Sequence, residues 1–441
     1  MNLLDKVKAA GVVGAGGAGF PTHVKLNSQA EFIIMNGAEC EPLLRVDQQL
    51  MEIYPDEIIK GFEISGRQVN ATKGIIGIKK KHKKVIGILN ERIKALSLDG
   101  YIEVGELPDM YPAGDEQVLV YELTGRVVPE LGIPLNVGCV VMNSETALNV
   151  YYANENVPVT QKYITLAGDI PERKTVKVPV GTPIIDVLKM SKIDDFSEYA
   201  IVDGGPMMGP MLNGTSGYVS KKTKGFVILK KDHHLVRKKS ISKEQARRIN
   251  KATCEQCRLC SDLCPRNLLG HAIEPHKMMR AMIYNTGDIE GQKISQLCCE
   301  CNLCELFSCP AGLAPKMANK HFKEELMAQK IKYAPTKQHF EPKKSREFRK
   351  IPSKRLVIRL GLKKYDLPAP MVTETLVPQI VRILTRQHVG APAVPCVVEG
   401  QSVIEGQIIG NIPAESLGAA IHSSINGIVS EITDNYIEIR R

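Results

Sequence analysis

Short apolar runs alternate with helical patterns over the first third of the chain. Apolar residues recur at helical spacing before Gly11, which predicts a helix that ends there. Residues 31–36 and 137–143 have the length and composition of buried strands. Residues 74–79 and 84–89 have them too, as alternatives for a single strand. Strands that alternate with helices in this way predict an α/β domain over residues 1–155.

The rest of the chain carries shorter elements. Extended runs at 163–168 and 174–179 predict a β-hairpin, and Thr182 is expected to cap a short helix. Residues 275–284 have a helical pattern, and the end of the chain contains short strands punctuated by Gly, which are typical of a small β sandwich. The whole pattern predicts a multidomain fold, an α/β domain joined to small β and α modules, with these segments: 1–155, 156–235, 240–335, 336–366 and 367–441.

Basic residues are concentrated in two stretches. Of a net charge of +10, residues 221–251 contribute +10 (12 basic, 2 acidic) and residues 337–364 contribute +9 (11 basic, 2 acidic), which leaves −9 for the remainder. Solvated linkers explain such stretches, with 336–366 as a basic linker; a docking face for an acidic redox partner is the alternative. The absence of Trp and the scarcity of aromatic residues disfavour nucleic-acid binding.

Hydropathy argues against a membrane segment. No apolar run reaches the roughly 18 residues that a transmembrane helix needs. The apolar part of the first residues is too short for a signal peptide. The sequence therefore predicts a cytoplasmic protein, in which thiols stay reduced.

Nine of the twelve cysteines lie in one segment and form two similar runs. In each run the first three cysteines are separated from one another by two intervening residues, and a fourth cysteine, followed by Pro, comes later. Such runs hold two [4Fe–4S] clusters, each run lending its fourth cysteine to the other cluster. The predicted ligand sets are Cys254, Cys257, Cys260 and Cys309 for one cluster, and Cys298, Cys301, Cys304 and Cys264 for the other.

Zinc and disulfides are the other interpretations of the cysteines. Structural zinc sites repeat a cysteine pair rather than a triplet, and disulfides are rare in the cytosol. The second run is irregular, because four residues rather than three precede its last cysteine. Cys299 is expected to be a bystander thiol, because neighbouring residues rarely reach one cluster together.

A glycine-rich loop and three polar segments mark a second candidate site. The loop contains Gly14, Gly16, Gly17 and Gly19, and partly matches the dinucleotide fingerprint. That fingerprint should follow a strand and open a helix, whereas here a helical pattern precedes the loop and Pro21 follows it. By itself the loop indicates only a backbone that approaches a flat or anionic group closely. The polar segments 36–42, 111–117 and 143–146 lie at or near the ends of apolar runs, where α/β sheets bind ligands.

In their order, these four segments resemble the NADH-binding flavoprotein subunit of respiratory complex I and the C subunit of Rnf complexes. The resemblance implies FMN, with its phosphate in the Gly14–Gly19 loop near Lys25. It places Asn36, Gly114, Asp115, Asn143 and Thr146 around the flavin. It places Phe20, Glu41 and Glu116 near NADH. The chain departs from complex I at Ala38, where that subunit has an acid, and at Asn27 and Ser28, which replace aromatic residues.

Resemblances extend over the remaining segments. Residues 156–235 resemble a soluble-ligand-binding β-grasp domain, which would bind a substrate or act as a spacer. Residues 240–335 resemble a helical, ferredoxin-like two-cluster module. Residues 367–441 resemble a barrel-sandwich hybrid domain, but 417–421 lack the lysine to which biotinyl and lipoyl carriers attach their cofactor.

The order of the segments distinguishes two related families. Rnf C subunits place the barrel-sandwich segment first, whereas here it comes last. That order, with Gln387 and His388, resembles the cobalamin reductases of propanediol-utilisation microcompartments. The resemblance implies electron transfer from NADH through FMN and two [4Fe–4S] clusters to a corrinoid, with no catalytic side chain. It also implies a cobalamin adenosyltransferase and shell proteins as partners, and a place in the microcompartment lumen.

Two alternative functions stay open. The chain could be the electron-input subunit of a membrane-bound, Rnf-like ion-translocating complex. It could also be a non-catalytic scaffold that binds zinc through its cysteine runs.

Overall fold

A computed structural model describes residues 1–284, 287–335 and 337–441, without the side chains of 252 and 253. The first domain has a four-stranded parallel sheet of order β3-β2-β1-β5. Its strands are β1 (Phe32–Asn36), β2 (Lys73–Lys79), β3 (Ile102–Leu107) and β5 (Cys139–Asn143), with β4 (Met110–Tyr111) outside the sheet. Its helices are α1 (Leu3–Ala9), α2 (Thr22–Leu26), α3 (Val46–Ile53), α4 (Pro55–Gln68), α5 (Lys83–Ala95), α6 (Glu116–Thr124) and α7 (Ser144–Asn154).

The structure of this α/β domain decides between the two alternative strands that the sequence predicts. Residues 74–79 lie in β2, as one alternative predicted, and the strand at 84–89 is wrong because α5 covers it. Val85, Ile86 and Leu89 are buried on one face of α5, so the apolar run there is one side of an amphipathic helix.

The second domain is a mixed four-stranded sheet of order β7-β6-β9-β8, in which only the central pair is parallel. Its elements are β6 (Gln161–Gly168), β7 (Lys174–Pro179), α8 (Ile184–Lys189), β8 (Tyr199–Asp203) and β9 (Gly225–Lys230). The predicted hairpin is confirmed as β6 and β7. Thr182 does not cap the helix: Pro183 precedes α8, and the Thr182 hydroxyl instead donates to the Pro179 carbonyl at 2.7 Å.

Short helices build the cysteine-rich module. They are α9 (His234–Lys239), α10 (Lys243–Thr253), α11 (Leu259–Asp262), α12 (Pro265–Leu268), α13 (Pro275–Tyr284), α14 (Ile289–Gln292) and α15 (Pro315–Ala328). Met278, Met279 and Phe322 form an apolar core with Cys309 between α13 and α15. The helix predicted at 275–284 is therefore confirmed.

The described part of the basic segment, 337–366, packs on the first domain through a few residues. Its strand β10 (Ile351–Pro352) pairs with β4 of the first domain. It also contains the helices α16 (Arg346–Arg349) and α17 (Ser353–Arg359), and Leu356 is fully buried. Arg346 is buried in an ion pair with Glu122 of α6. Most other cations of the segment are exposed, as expected of solvated charge, but the segment is anchored where the solvated-linker prediction has no contact.

The last domain consists of two small sheets. The four-stranded sheet has the order β11-β17-β16-β13 and the three-stranded sheet the order β12-β14-β15. The strands are β11 (Ile380–Leu384), β12 (Val394–Pro395), β13 (Ser402–Val403), β14 (Ile408–Asn411), β15 (Ile421–His422), β16 (Gly427–Ile432) and β17 (Tyr436–Arg440). No helix in the described ranges is both long and apolar enough to cross a membrane.

A buried lysine joins three of the domains. Lys221, between β8 and β9, donates to the carbonyls of Gly11 in the first domain (2.7 Å) and Ala420 in the last (2.9 Å). Burial lowers the pKa of Lys221 to about 7. A Cβ atom at Gly11, whose φ is +64°, would lie 2.3 Å from the Ala420 carbonyl oxygen. Only glycine fits this contact.

Candidate redox site

The glycine-rich loop is closed by its own backbone. The Gly14 amide donates to the Phe20 carbonyl at 2.9 Å, and the Gly19 amide donates to the Gly14 carbonyl at 3.2 Å. Gly17 has a φ of +109°, and a Cβ atom there would meet open space. Within the described part of the chain, the amides of Gly16 and Gly17 have no protein acceptor. Such amides in a tight loop suit a phosphate.

Two adjacent strands end beside this loop. Asn36 ends β1 and Asn143 ends β5, and the two residues are in register. The side-chain amide of Asn36 donates to the Gly114 carbonyl at 2.9 Å. The loop itself is tied to this edge, because the Ala15 amide donates to the Thr146 hydroxyl at 3.0 Å. These hydrogen bonds bring together residues from separate segments, whereas the sequence shows only the order of those segments along the chain.

Lys25 and the start of α6 complete the group of predicted flavin-site residues. The Lys25 ammonium donates to the Val141 carbonyl at 2.9 Å and to Glu116 at 3.3 Å. Asp115 caps α6, because one of its oxygens accepts the amides of Gln117 and Val118 at 3.1 Å. The structure therefore gathers the predicted flavin residues at the carboxyl edge of the sheet.

A buried charge network supports this edge and was missed by sequence analysis. Lys224, from the second domain, lies 2.5 Å from Asp47 and 3.5 Å from Glu39. Burial acts to raise the pKa of Asp47, but Lys224 and hydrogen bonds from Ser144 and Asn143 hold it below its usual value. Because Asn143 donates to Asp47 at 3.0 Å, the network fixes the orientation of a candidate flavin residue.

Glu39 is the carboxyl group of this network whose pKa is raised. Burial raises the pKa of Glu39 to about 8, with Asp47 adding to the shift and Lys224 opposing it. Its backbone has a φ of +32°, an unusual conformation for a side chain of this size. No local pattern could reveal the network, because Lys224 is 177 residues from Asp47.

Glu41 is engaged by the second domain. Its carboxylate accepts the amides of Met207 and Met208 at 2.8 and 2.9 Å. A Cβ atom at Gly205 would come within 2.1 Å of the carboxylate, so this turn needs glycine for its close approach. Burial raises the pKa of Glu41, against the effect of the two amides. The predicted nicotinamide contact thus lies at a boundary between domains.

The two cysteine runs have the same backbone conformation. In the first run, Gln256 and Arg258 have φ values of +55° and +68°. At the equivalent positions of the second run, Glu300 and Asn302 have values of +57° and +63°. Such left-handed residues turn the chain between successive cysteines, so each run curves around one point.

The exchange of fourth cysteines between runs stays a prediction, and the charges of the thiols act on one another across the two runs. Burial raises the pKa of Cys260 to about 12, and the charges of Cys309, Cys257 and Cys254 add to the shift. Burial also raises the pKa of Cys304, with contributions from Cys298 and Cys264 among others. Each thiol is therefore influenced by members of its own predicted ligand set. Cys309 also accepts the Leu313 amide at 3.3 Å, and Cys298 the Glu300 amide at 3.4 Å.

These thiols suit a polynuclear cluster. Buried thiols whose pKa values are raised by one another need a bound cation to hold them as thiolates. Among the described residues, no three Cys, His, Asp or Glu side chains lie close enough to share a single ion. One zinc ion bonded at about 2.3 Å would bring its thiolates within about 4 Å of each other. The preference for iron–sulfur clusters over zinc therefore rests on the spacing of the cysteines.

The second ligand set touches the flavin edge. The Tyr111 hydroxyl donates to the Cys301 carbonyl at 2.7 Å, and both residues are buried. Arg266, two residues after Cys264, forms a buried ion pair with Asp115 at 2.9 Å. A hydrogen bond from Cys301 lowers the pKa of Cys299 to about 7, and Arg266 favours the same thiolate. The bystander thiol therefore lies in this contact, close to both candidate centres.

Family models match three parts of the chain. The Nuo51 FMN-binding domain matches residues 7–152, a 4Fe-4S dicluster domain matches residues 253–314, and the RnfC barrel sandwich hybrid domain matches residues 360–440. These matches and the geometry define a multidomain flavin and iron–sulfur protein.

Curated relatives then show the family. The cobalamin reductase PduS of Citrobacter freundii is 41% identical over 443 residues, covering 100% of this chain and 96% of the relative. The cobalamin reductase PduS of Salmonella typhimurium is 40% identical with the same coverage. The chain belongs to the cobalamin reductase PduS family.

More distant similarities cover parts of the chain. The C subunit of the Na(+)-translocating ferredoxin:NAD(+) oxidoreductase complex of Acetobacterium woodii is 33% identical over 59% of this chain and 56% of its own length. A crystal structure of an NAD+-reducing [NiFe]-hydrogenase in the H2-reduced state has a TM-score of 0.47 at 21% identity. It covers 75% of this chain and 63% of its own. Nothing further follows from so distant a structure.

Proposed function

We propose that this protein is an NADH-dependent cobalamin reductase, which passes electrons through FMN and two [4Fe–4S] clusters to a corrinoid. The observation that carries the proposal is the contact between the two candidate centres: Tyr111 bonded to Cys301, and Asp115 paired with Arg266. It joins the predicted flavin edge to the second cysteine set through side chains that are mostly buried. Membership of the PduS family supports the corrinoid as acceptor.

The residues around the flavin edge bind and orient. The Gly16 and Gly17 amides with Lys25 would hold the FMN phosphate, and Asn36 and Asn143 would contact the ring. Flavin accepts a hydride from a nicotinamide and releases single electrons, which is the chemistry that it supplies when bound. Phe20, Glu41 and Glu116 are proposed to line the NADH side.

The cysteines supply the ligands of the two clusters in the sets that the spacing predicts. Arg266 orients the second set by its ion pair with Asp115, and it places a positive charge beside the thiolates. The second domain is proposed to be a β-grasp domain that holds Glu41 through Met207 and Met208. The proposal also implies a microcompartment setting, with an adenosyltransferase and shell proteins as partners.

One experiment tests the central proposal. Anaerobically purified protein should contain iron, acid-labile sulfide and FMN, and should oxidise NADH with cob(III)alamin or cob(II)alamin as sole acceptor. NADPH in place of NADH is the matched control for the donor. Protein that contains both cofactors but reduces no corrinoid would contradict the assigned acceptor.

A second candidate function comes from the similarity to the protein of the Acetobacterium woodii complex. In that case the chain would feed electrons into a membrane-bound, ion-translocating complex. Binding to membranes that contain such a complex, together with failure to reduce corrinoids, would favour it. A colourless preparation that contains zinc but no iron would instead support the scaffold.

A further inference from the structure

The two ligand sets differ in how they meet solvent. Each set has one half-buried cysteine, Cys254 or Cys298, but the first set has an exposed cysteine, Cys257, whereas the other three of the second set are buried. Cys301 of the second set packs in one cluster with Tyr111, Leu43 and Leu44 of the first domain. Cys309 and Cys254 of the first set pack with Met278 and Met279 of the cysteine-rich module, and the Cys309 carbonyl accepts Arg359 at 3.3 Å. One set thus faces the flavin edge and the other faces the outside.

Cations surround the exposed cysteine. Arg258 follows Cys257 directly and lies 3.5 Å from Glu274, which also pairs with Lys277. Arg280 follows Lys277 by three residues on α13, so the two side chains lie on the same side of that helix. We name Cys257, Arg258, Lys277 and Arg280 the exit surface; all four residues are exposed.

The wider neighbourhood has the same sign. The exposed basic residues of the segment are Arg247, Arg248, Lys251, Arg258, Lys277 and Arg280. The acids there are Glu244, which is exposed and pairs with Arg248 at 3.1 Å, Glu255, which is exposed, and Asp262 and Glu274, which are half-buried. Helix α10, which carries three of these cations, packs on α13, which carries Lys277 and Arg280. The surface beside Cys257 is therefore positively charged over two helices.

Several cations of the two basic stretches do not form such a surface. Lys221, Lys224 and Arg346 are buried and bonded within the protein. Lys239 donates to the carbonyls of Met207 and Gly209, and burial lowers its pKa to about 8. These residues hold domains together, so within the basic stretch 221–251 an acidic redox partner would meet exposed cations such as Arg247, Arg248 and Lys251.

We propose that the exit surface docks an acidic protein that accepts single electrons. A positive surface attracts such a partner over a Debye length of roughly 10 Å and brings it to the place where least protein covers the cysteines. Each encounter removes one electron from the protein and reduces the partner by one, with no bond made or broken. Two partner molecules are therefore reduced for each hydride taken from NADH. The electron step rests on the proposed function, whereas docking does not.

The test compares two double variants with the same loss of charge. Lys277→Gln/Arg280→Gln changes the exit surface without touching the cysteine loop. Lys60→Gln/Lys94→Gln removes two exposed lysines of the first domain as the control. Binding of oxidised protein to an acidic flavodoxin is measured anaerobically by calorimetry at low and high salt. Basic cytochrome c serves as the probe of opposite charge.

We expect the exit-surface variant to bind flavodoxin about 5- to 10-fold more weakly at low salt, and the control to bind like wild type. The difference should shrink at high salt. Cytochrome c should show no preference for wild type. Equal weakening in both variants, or flavodoxin binding without salt dependence, would overturn the proposal. Loss of iron or flavin from wild-type protein would count against the proposed function alone, because docking is measured without electron transfer.

Discussion

The two cysteine runs have nearly the same local structure and very different surroundings. Gln256 and Arg258 in one run match Glu300 and Asn302 in the other, all in the left-handed region. Yet the second set lies against the flavin edge, whereas the first reaches solvent at Cys257.

This difference teaches that spacing and surroundings decide separate properties. Spacing sets how a loop curves around its cluster, because left-handed residues recur at fixed offsets from the cysteines. Surroundings set which centre faces the electron donor and which faces the acceptor. Two arginines near the first run show the contrast, since Arg266 is buried with Asp115 while Arg258 is exposed beside Glu274.

Removing each arginine should give the largest difference. Arg266→Met leaves Asp115 buried without its partner and should lower the free energy of unfolding by about 3–5 kcal/mol. Arg258→Met removes an exposed pair and should cost less than about 1 kcal/mol. Urea unfolding of anaerobic protein measures both. Equal costs would mean that the two ligand sets are held alike.

The two ligand sets should also separate in function. Cys257→Ala should keep FMN bound, since the exposed set lies away from the flavin edge, and should slow corrinoid reduction by more than about 100-fold. Cys301→Ala removes a ligand next to Tyr111, and its effect on the flavin is the matched comparison. The FMN content and steady-state rates are the measurements. Loss of FMN from Cys257→Ala would show that the modules fold together and contradict separate roles.

The rate of iron removal should show a smaller difference between the two ligand sets. A ferrous chelator should take iron from the exposed set about tenfold faster than from the enclosed set, a difference of about 1.4 kcal/mol in local opening. Absorbance of the iron–chelator complex should rise in two phases of similar size. The fast phase should be missing in Cys257→Ala. A single phase in wild-type protein would argue against unequal access.

Loss of one hydrogen bond at the boundary should have the smallest effect. Tyr111→Phe removes the bond to the Cys301 carbonyl and should cost about 1 kcal/mol of unfolding free energy. Tyr121→Phe, on a half-buried ring of α6 that stacks with Arg346, is the control without that bond. A cost for Tyr111→Phe no larger than the control's would contradict the contact.

Sequence patterns predicted what local spacing determines. The strands that end at Asn36 and Asn143, the hairpin of the second domain and the helix at 275–284 follow from periodicity alone. The strand at 84–89 failed because an apolar run in a short amphipathic helix resembles a strand. The grouping of the thiols into two ligand sets stays a prediction of the motif.

Contacts between distant segments explain what was missed. Lys221, Lys224 and Arg346 looked like solvated charge in a basic stretch, and each is buried against a partner far away in the chain. Glu41 likewise meets amides 166 and 167 residues further on. Such pairs depend on how domains pack, which no local pattern contains.

The buried lysine between domains makes the last domain a neighbour of the first. Lys221 holds the carbonyls of Gly11 and Ala420 together, and the Val389 amide bonds to the Gly19 carbonyl at 3.0 Å. A permuted gene that encodes residues 367–441 ahead of residues 1–366 would preserve both contacts, because neither depends on the peptide bond between 366 and 367.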